Sequence, residues 1–415
     1  MADPEYTQHG LFDPPPTQAV TIHRAYRYEL DLNNEQMTKC FQFAGVARWA
    51  YNYGLQKKIE ARAVGAKPPT AFDIGKEIVR LKHTTHPWLR DVSKSVPQAA
   101  LANLDRAFAN LFDPQMKVKH PKFKSRKNGI GGFRLTSITI RAIDKTVTLP
   151  RLGTLRTKHE TAVEGRILSA TVKERAGRWF VTFCVEKDIA VPVNDGPPIG
   201  VDLGITTLAT MSDGTTCENP KALGTKLKKL RRLQRSLCRR QKGSKRREKM
   251  KQRIATLHYR IANVRSDTLH KLTSRLAKNH GAIGIEDLNV LGLVKNHSLA
   301  RAISDCGWGE FRRQLEYKCL WYGSTLIVHD RFFPSSKTCS RCGHVQDVLP
   351  LSQRIYRCEK CGLVIDRDLN AALNLEPGGT RLQDVEGEAL ASEQSEVKPS
   401  PKKRQPSVVS RKASE

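Results

Sequence analysis

Residues 199–205 read Ile-Gly-Val-Asp-Leu-Gly-Ile, and residues 282–288 read Ala-Ile-Gly-Ile-Glu-Asp-Leu. Both alternate with the period of two that a strand imposes, because successive side chains leave a strand on opposite faces. In the first, Ile199, Val201, Leu203 and Ile205 share one face while Gly200, Asp202 and Gly204 share the other; in the second, Ile283 and Ile285 oppose Gly284 and Glu286. The apolar face calls for a core. A carboxylate flanked by glycines reads as having open space beside it, where a metal ion or a phosphate backbone could approach. Residues 366–375, Asp-Arg-Asp-Leu-Asn-Ala-Ala-Leu-Asn-Leu, read as a helix that opens on Asp366 and Asp368 and turns Ala372 and Leu375 inward. Each acid also has an ordinary reading. Asp202 suits a strand-end turn, Glu286 an ion pair with a basic helix, and Asp366 or Asp368 an N-cap or first-turn position favoured by the helix dipole. Taken together, acids from two buried strands and a helix start repel one another, and such hard oxygen donors suit Mg²⁺ or Mn²⁺. A pair of these ions about 3.5–4 Å apart activates a water and stabilises the leaving 3′ oxygen of a phosphodiester.

Immediately before that helix lie Cys339-Ser-Arg-Cys342 and Cys358-Glu-Lys-Cys361, with fifteen residues between them. Two such knuckles supply four thiolates to a tetrahedral Zn²⁺, and with every position filled the metal is structural. Gly343 and Gly362 follow the second cysteine of each pair, where a tight turn aims backbone N–H groups at the sulfurs. The other six cysteines are scattered and read as reduced thiols of a cytosolic protein.

Further out, the chain has 415 residues, with 71 Lys and Arg against 41 Asp and Glu, for a formal net charge of +30. Residues 1–20 carry three acids and no base, and residues 376–415 carry seven of each, so the segment 21–375 holds +33. Both termini are expected to be disordered. An excess of this size implies a polyanion partner, most simply nucleic acid. There is no run of about 18 apolar residues to cross a membrane, and the first twenty residues lack the basic and apolar regions of a signal peptide. No membrane association and a cytoplasmic location are therefore expected.

Between Lys226 and Arg253 stand fifteen Lys and Arg and a single acid, Glu248, within what reads as some fifty residues of basic helix ending near Lys278. Lys228, Arg232, Arg235 and Arg239 are candidate contacts to a nucleic-acid backbone, since charge this dense repels itself without a polyanion. Lys122 and Lys124 in the basic stretch around Phe123, and Arg24 and Arg27 in the first strand, are further candidates. Trp49, Tyr51 and Tyr53 suit base stacking, but at least two read better as helical core.

Length allows roughly two or three domains. The first, 21–192, reads as a strand, a helical insertion over about 34–112 and then several short strands: a small β-barrel interrupted by helices. The second, 193–375, reads as α/β. Together they make an α/β multidomain chain.

GVDLGITTLAT (200–210), IGIEDLNV (283–290), HDRFFPSSKTCSRCG (329–343) and YRCEKCGLVIDRDLNAALNL (356–375) together resemble the TnpB (OrfB) proteins of bacterial and archaeal insertion sequences, relatives of the type V CRISPR effector nucleases. The resemblance covers about 21–375 and is densest from 197 onward. It implies a RuvC-like, RNase H-type nuclease domain over 193–375, with a zinc ribbon at about 337–363 inserted before the last acid and a wedge-like barrel ahead of it. It implies Asp202, Glu286 and Asp368 as the catalytic acids; Asp368 is preferred to Asp366 because the family's acid directly precedes the x-Asn-Ala-Ala stretch. The implied activity is Mg²⁺-dependent cleavage of double-stranded DNA beside a short target-adjacent motif. A transposon-derived guide RNA would direct it, on a monomer or a dimer near the nucleoid of its bacterial or archaeal host. Two other functions stay open: an RNA-guided DNA-binding regulator without nuclease activity, and a protein-only transposase or resolvase.

Overall fold

The computed structural model describes residues 19–378, apart from 115, 117, 127, 128, 130 and 351. The terminal segments expected to be disordered therefore lie outside the described residues except at their inner edges, and Lys117 and Lys127 of the basic loop lie outside as well. Among the described residues no helix is long and apolar enough to cross a membrane.

The first half opens with β1 (Ala19–Asp31), α1 (Asn34–Ala63), α2 (Ala71–His83) and α3 (Ser95–Phe112). There follow β2 (Gly132–Leu135), β3 (Arg141–Ile143), β4 (Thr146–Leu149), β5 (Gly153–Thr157), β6 (Arg166–Arg175) and β7 (Arg178–Ala190). α1 starts where Asn33 accepts a hydrogen bond from the Gln36 N–H at 2.8 Å and the Gln36 side chain accepts one from the Asn33 N–H at 3.2 Å. This reciprocal cap satisfies two otherwise orphaned donors. The seven strands pair antiparallel in the order β2-β6-β7-β1-β5-β4-β3. β1 alternates as its sequence does, with Ile22 buried, Arg24, Tyr26 and Tyr28 half-buried, and Thr21, His23 and Arg27 exposed. α1 and α3 lie on the sheet through Phe43, Leu101 and Leu104, which join Phe133, Leu155 and Phe183 in one core. Tyr51 is buried there, and Trp49 stacks on Tyr53 at 5.1 Å between centroids.

The second half contains β8 (Ile199–Asp202), β9 (Thr207–Met211), β10 (Thr216–Glu218), α4 (Leu227–Cys238) and α5 (Lys245–Asn279). Next come β11 (Ala282–Glu286), α6 (Val290–Leu293), α7 (Ala300–Cys306), α8 (Trp308–Tyr322) and β12 (Thr325–His329). A small ribbon of β13 (Ile355–Arg357) and β14 (Val364–Asp366) leads into α9 (Arg367–Leu375). The sheet order is β10-β9-β8-β11-β12, with β8, β11 and β12 parallel and β9 antiparallel to both its neighbours. Parallel strands are buried on both faces, and here each face has its own cover. Ile199, Val201, Ile283 and Ile285 bury against Leu269, Leu272 and Leu276 of α5 and Phe311 and Leu315 of α8.

The opposite face corrects an expectation. Gly200 and Gly284 do not leave a void for a ligand; the backbone of α9 fills it. A Cβ at Gly200 would lie 1.9 Å from the Ala372 carbonyl oxygen, and one at Gly284 only 1.7 Å from that of Leu375. The glycines are there so that a helix can lie directly on the strands.

The basic helix is also not continuous. α4 ends at Cys238 and α5 begins at Lys245, with Ser244 accepting from the Arg247 N–H at 3.2 Å as its N-cap. The two form a hairpin over a small core of Leu230, Leu257 and Ile261. Arg247 closes it by donating to the Leu237 and Arg240 carbonyls at 2.7 and 2.9 Å, where a cation meets the negative end of α4.

Candidate metal centres and nucleic-acid surface

The register of the parallel strands pairs Ile199 with Ile283, Gly200 with Gly284 and Val201 with Ile285. The next step along both strands sets Asp202 beside Glu286, at the carboxyl edge of the sheet where open α/β sheets bind their ligands. α9 crosses the same strands with its last turn over the two glycines. Asp368 stands one turn before Ala372 in α9, near enough to Asp202 for its charge to raise that carboxyl. The contact that requires glycine thus also brings the third acid to the other two.

Asp202, Glu286 and Asp368 are all half-buried. Burial, then repulsion from Glu286 and Asp368, pushes Asp202 up to about 7, against the opposing pull of Arg367 and the Leu203 N–H. Asp366 has a different task. It is exposed and accepts from the Asp368 and Leu369 N–H groups at 2.9 and 3.0 Å, as the N-cap of α9. Asp368 faces Arg354 at 3.8 Å. Glu286 accepts a hydrogen bond from the buried Ser335 hydroxyl. The neighbouring Asp287 is gripped by Arg312 and Arg331, whose hydrogen bonds hold it below the usual carboxylate range, Arg331 contributing most.

The four cysteines make the second centre. Cys339 and Cys361 sulfurs lie 3.6 Å apart, and Cys342 and Cys358 sulfurs 3.5 Å apart. A tetrahedron with metal–sulfur bonds of about 2.3 Å has edges of about 3.8 Å, so the thiol set fits zinc without rearrangement. Both knuckles have the same backbone. Gly343 and Gly362 adopt φ of 71° and 72° and donate to the Cys339 and Cys358 carbonyls at 2.9 and 3.0 Å. Among the described residues, this is the one group of three or more His, Cys, Asp or Glu side chains whose donor atoms all lie within 4.8 Å of one another. The three carboxylates are near enough to repel but do not close to that distance.

The candidate basic residues fall into two sets. Lys228, Arg232, Arg235 and Arg239 are exposed along α4, as are Lys122 and Lys124 in the loop before β2. Asn52 of α1 fixes that loop through both backbone groups of Lys124, at 2.8 and 2.9 Å, and the Lys124 ammonium stands 3.7 Å above the Tyr51 ring. Arg24 and Arg27 have partners within the chain. Arg24 stands over Trp321 of α8 at 4.5 Å; Arg27 stands over Phe180 at 4.0 Å and donates to the Tyr259 hydroxyl of α5 at 3.3 Å. They join the two sheets' layers, Arg27 through Tyr259 of α5, the helix on which α4 packs.

A Streptomyces pristinaespiralis protein that bears the provisional name RNA-guided DNA endonuclease is 36% identical over 363 residues, spanning 86% of this chain and 90% of the relative. The chain belongs to the TnpB (OrfB) family. A second relative, provisionally named RNA-guided DNA endonuclease InsQ, from Escherichia coli K12, is 33% identical across 86% of this chain and 92% of its own length. The family model described as a probable transposase matches residues 182–297, and the TNB domain of Cas12f1-like proteins matches 308–375. A third, described as a helix-turn-helix domain, matches 22–67, which in this TnpB-family chain is one long strand followed by one long helix, β1 and α1. Among solved structures, a Cas12f1 in complex with sgRNA and target DNA shares the fold. It has a TM-score of 0.51 and 14% identity, covering 86% of this chain and 98% of that one. The α/β architecture, one antiparallel and one mixed sheet, is therefore that of a Cas12-like fold.

Three side chains that tie Glu286 and α9 to residues 335–340 are not apparent in the sequence: Ser335, Asn370 and Asn374. Asn370 and Asn374 had a signal, the four-residue spacing that puts two polar side chains on one face of α9. Ser335 had none, because its partner Glu286 is 49 residues away in sequence.

Proposed function

We propose that this protein is an RNA-guided DNA endonuclease of a transposable element, hydrolysing DNA phosphodiester bonds with divalent metal held by Asp202, Glu286 and Asp368. The observation that carries the reading is the convergence of three acids at one sheet edge in a segment whose net charge is +33. Burial, and then repulsion from Glu286 and Asp368, lifts Asp202 to about 7; a cation relieves both, and oxygen donors alone favour Mg²⁺ or Mn²⁺. When bound, such metal activates the attacking water and stabilises the leaving oxygen. The chain's own residues supply position and charge. The exposed cations of α4 and of the Lys122–Lys124 loop bind phosphate backbones, and the zinc-bearing ribbon fixes the start of α9 and with it Asp368.

On this reading residues 193–375 form a RuvC-like nuclease domain with its zinc ribbon, and residues 21–192 a wedge-like barrel whose helical insertion reads a short motif beside the target. The guide is a transposon-derived RNA, one per monomer, and the protein acts in the cytoplasm of its host, where chromosomal DNA is found. The relatives' names and the presence of acids at 202, 286 and 368 support this reading over a regulator that binds without cutting.

The test is to express the protein with its flanking locus, purify it and sequence the bound RNA. A constant scaffold joined to a variable guide is expected, with cleavage of a matching duplex in Mg²⁺. Asp202→Ala is expected to lower cleavage at least about a thousandfold while RNA and target binding persist. Cutting at full rate by RNA-free protein would overturn the proposal in favour of a protein-only transposase.

A further inference from the structure

Residues 335–340 run between the two metal centres; their middle is held within the ribbon by Pro334, Gln346 and Tyr356, and they are tied outward to α9 and to Glu286. Asn374 donates to the Ser335 carbonyl at 2.8 Å and to the Thr338 carbonyl at 2.6 Å. Asn370, fully buried, donates to the same Thr338 carbonyl at 2.7 Å and accepts from the Ser340 N–H at 3.0 Å. Cys339, a zinc-site thiol, lies between those last two anchors. At the other end of the segment the Ser335 hydroxyl, 3% exposed, donates to Oε1 of Glu286.

These bonds give Ser335 a defined role. A carboxylate has two oxygens and about four lone-pair directions; a single buried donor on Oε1 selects one rotation of the carboxyl plane and leaves the remaining lone pairs to a cation. The donor's place is set by a backbone that the two asparagines pin to α9, the helix that carries Asp368. Loss of zinc releases Cys339, the residue between the Asn370 anchors, and so loosens the same segment.

We infer that Ser335 is a positioning residue for Glu286, and that the zinc knuckle holds it in place through Asn370 and Asn374. The inference rests on the reading of Glu286 as one of the metal-holding carboxylates.

Mn²⁺ binding to the full-length protein–guide RNA complex, read by electron paramagnetic resonance of the free ion, tests it. Ser335→Ala is expected to weaken Mn²⁺ binding by roughly 10–100-fold, the range that outer hydrogen-bond partners of metal ligands command. Zinc content and RNA affinity should stay at wild-type values. Cleavage should then need correspondingly more Mg²⁺ for half its maximum rate, while the rate at saturating Mg²⁺ returns to within a few-fold of wild type. A general packing defect would not produce that split. Ser335→Cys, which keeps the volume but is a weak donor, has to reproduce the loss, so a folding failure of the alanine variant leaves the question answerable. Unchanged Mn²⁺ affinity in a zinc-replete Ser335 variant overturns the inference. An Asp202→Asn complex that binds Mn²⁺ as wild type does overturns the underlying carboxylate site as well, and the two failures are told apart by that control.

Discussion

The four cysteines and the three carboxylates occupy neighbouring segments of one half of the chain, yet their donor atoms are held in opposite ways. Each sulfur sits on a short backbone turn whose glycine and N–H groups fix its place, and the four converge with sulfur–sulfur distances of 3.5 and 3.6 Å within the two closest pairs. The carboxylates come from two strands and a helix that meet through packing, and burial together with their mutual repulsion raises Asp202. A site built by local turns is ready for its metal; a site built by long-range packing waits for one. The zinc centre should therefore behave as part of the fold, and the acid centre as a charge strain stored in a fold that stands without it.

Removing zinc is the largest test of that contrast. Structural zinc contributes about 10 kcal/mol or more to small domains, so a chelator, or Cys358→Ser, is expected to abolish amide hydrogen-exchange protection across residues 337–366. The β1–β7 pairing should keep its protection, because its core of Phe43, Leu155 and Phe183 lies in the other half. Asp202→Ala should leave protection intact in both regions. Uniform loss on chelation, or no loss at all, would break the distinction between the two centres.

The same contrast explains what the sequence made legible. Knuckles formed by neighbours three residues apart can be read from spacing alone, and so can the alternation of β8 and β11 that puts Asp202 and Glu286 on the glycine face. What covers that face cannot be read so directly. Alternation reports that Gly200 and Gly284 share a side, and open space is one reason for glycine, but a helix backbone lying 1.7–1.9 Å from where a Cβ would stand is another. The break between α4 and α5 was hidden for a similar reason: uniform charge across 226–253 masked the Gly243-Ser244 turn signal within it. The choice between Asp366 and Asp368 was closer to hand, since an Asp two residues ahead of a helical Asp is well placed to cap.

Because Asp368 joins the two strand acids only through α9 lying on the strands, lifting that helix should disturb one centre more than the other. Gly284→Ala is expected to destabilise the protein by about 3 kcal/mol, seen as a lower denaturant midpoint, since the added carbon meets the Leu375 carbonyl, a backbone atom that cannot swing aside. Mn²⁺ binding should weaken with it while zinc stays bound. Gly309→Ala in α8 is the control: nothing lies within 4 Å of its added carbon, so the midpoint should hold or rise. A neutral Gly284→Ala would mean that α9 is not what joins the acids.

The smallest effect is the charge strain itself, and its sign follows from Asp202. A carboxyl near its ordinary value of 3.8 in the unfolded chain and raised to about 7 in the folded one binds its proton more tightly when folded. Its contribution to stability is fully present below pH about 4 and is lost as pH rises through about 7. Metal-free protein should accordingly lose on the order of 2 kcal/mol across that window, once salt and solvent screen part of the shift. Asp202→Asn cannot ionise, so it should flatten this part of the curve and unfold several degrees above wild type at pH 8. Mg²⁺ should raise the wild-type midpoint at pH 8 and leave the asparagine variant nearly unmoved. The four-cysteine centre, whose ligands are all taken up when zinc is bound, should show neither response, and a chelator-sensitive midpoint with the same pH slope in both proteins would place the strain elsewhere than on Asp202.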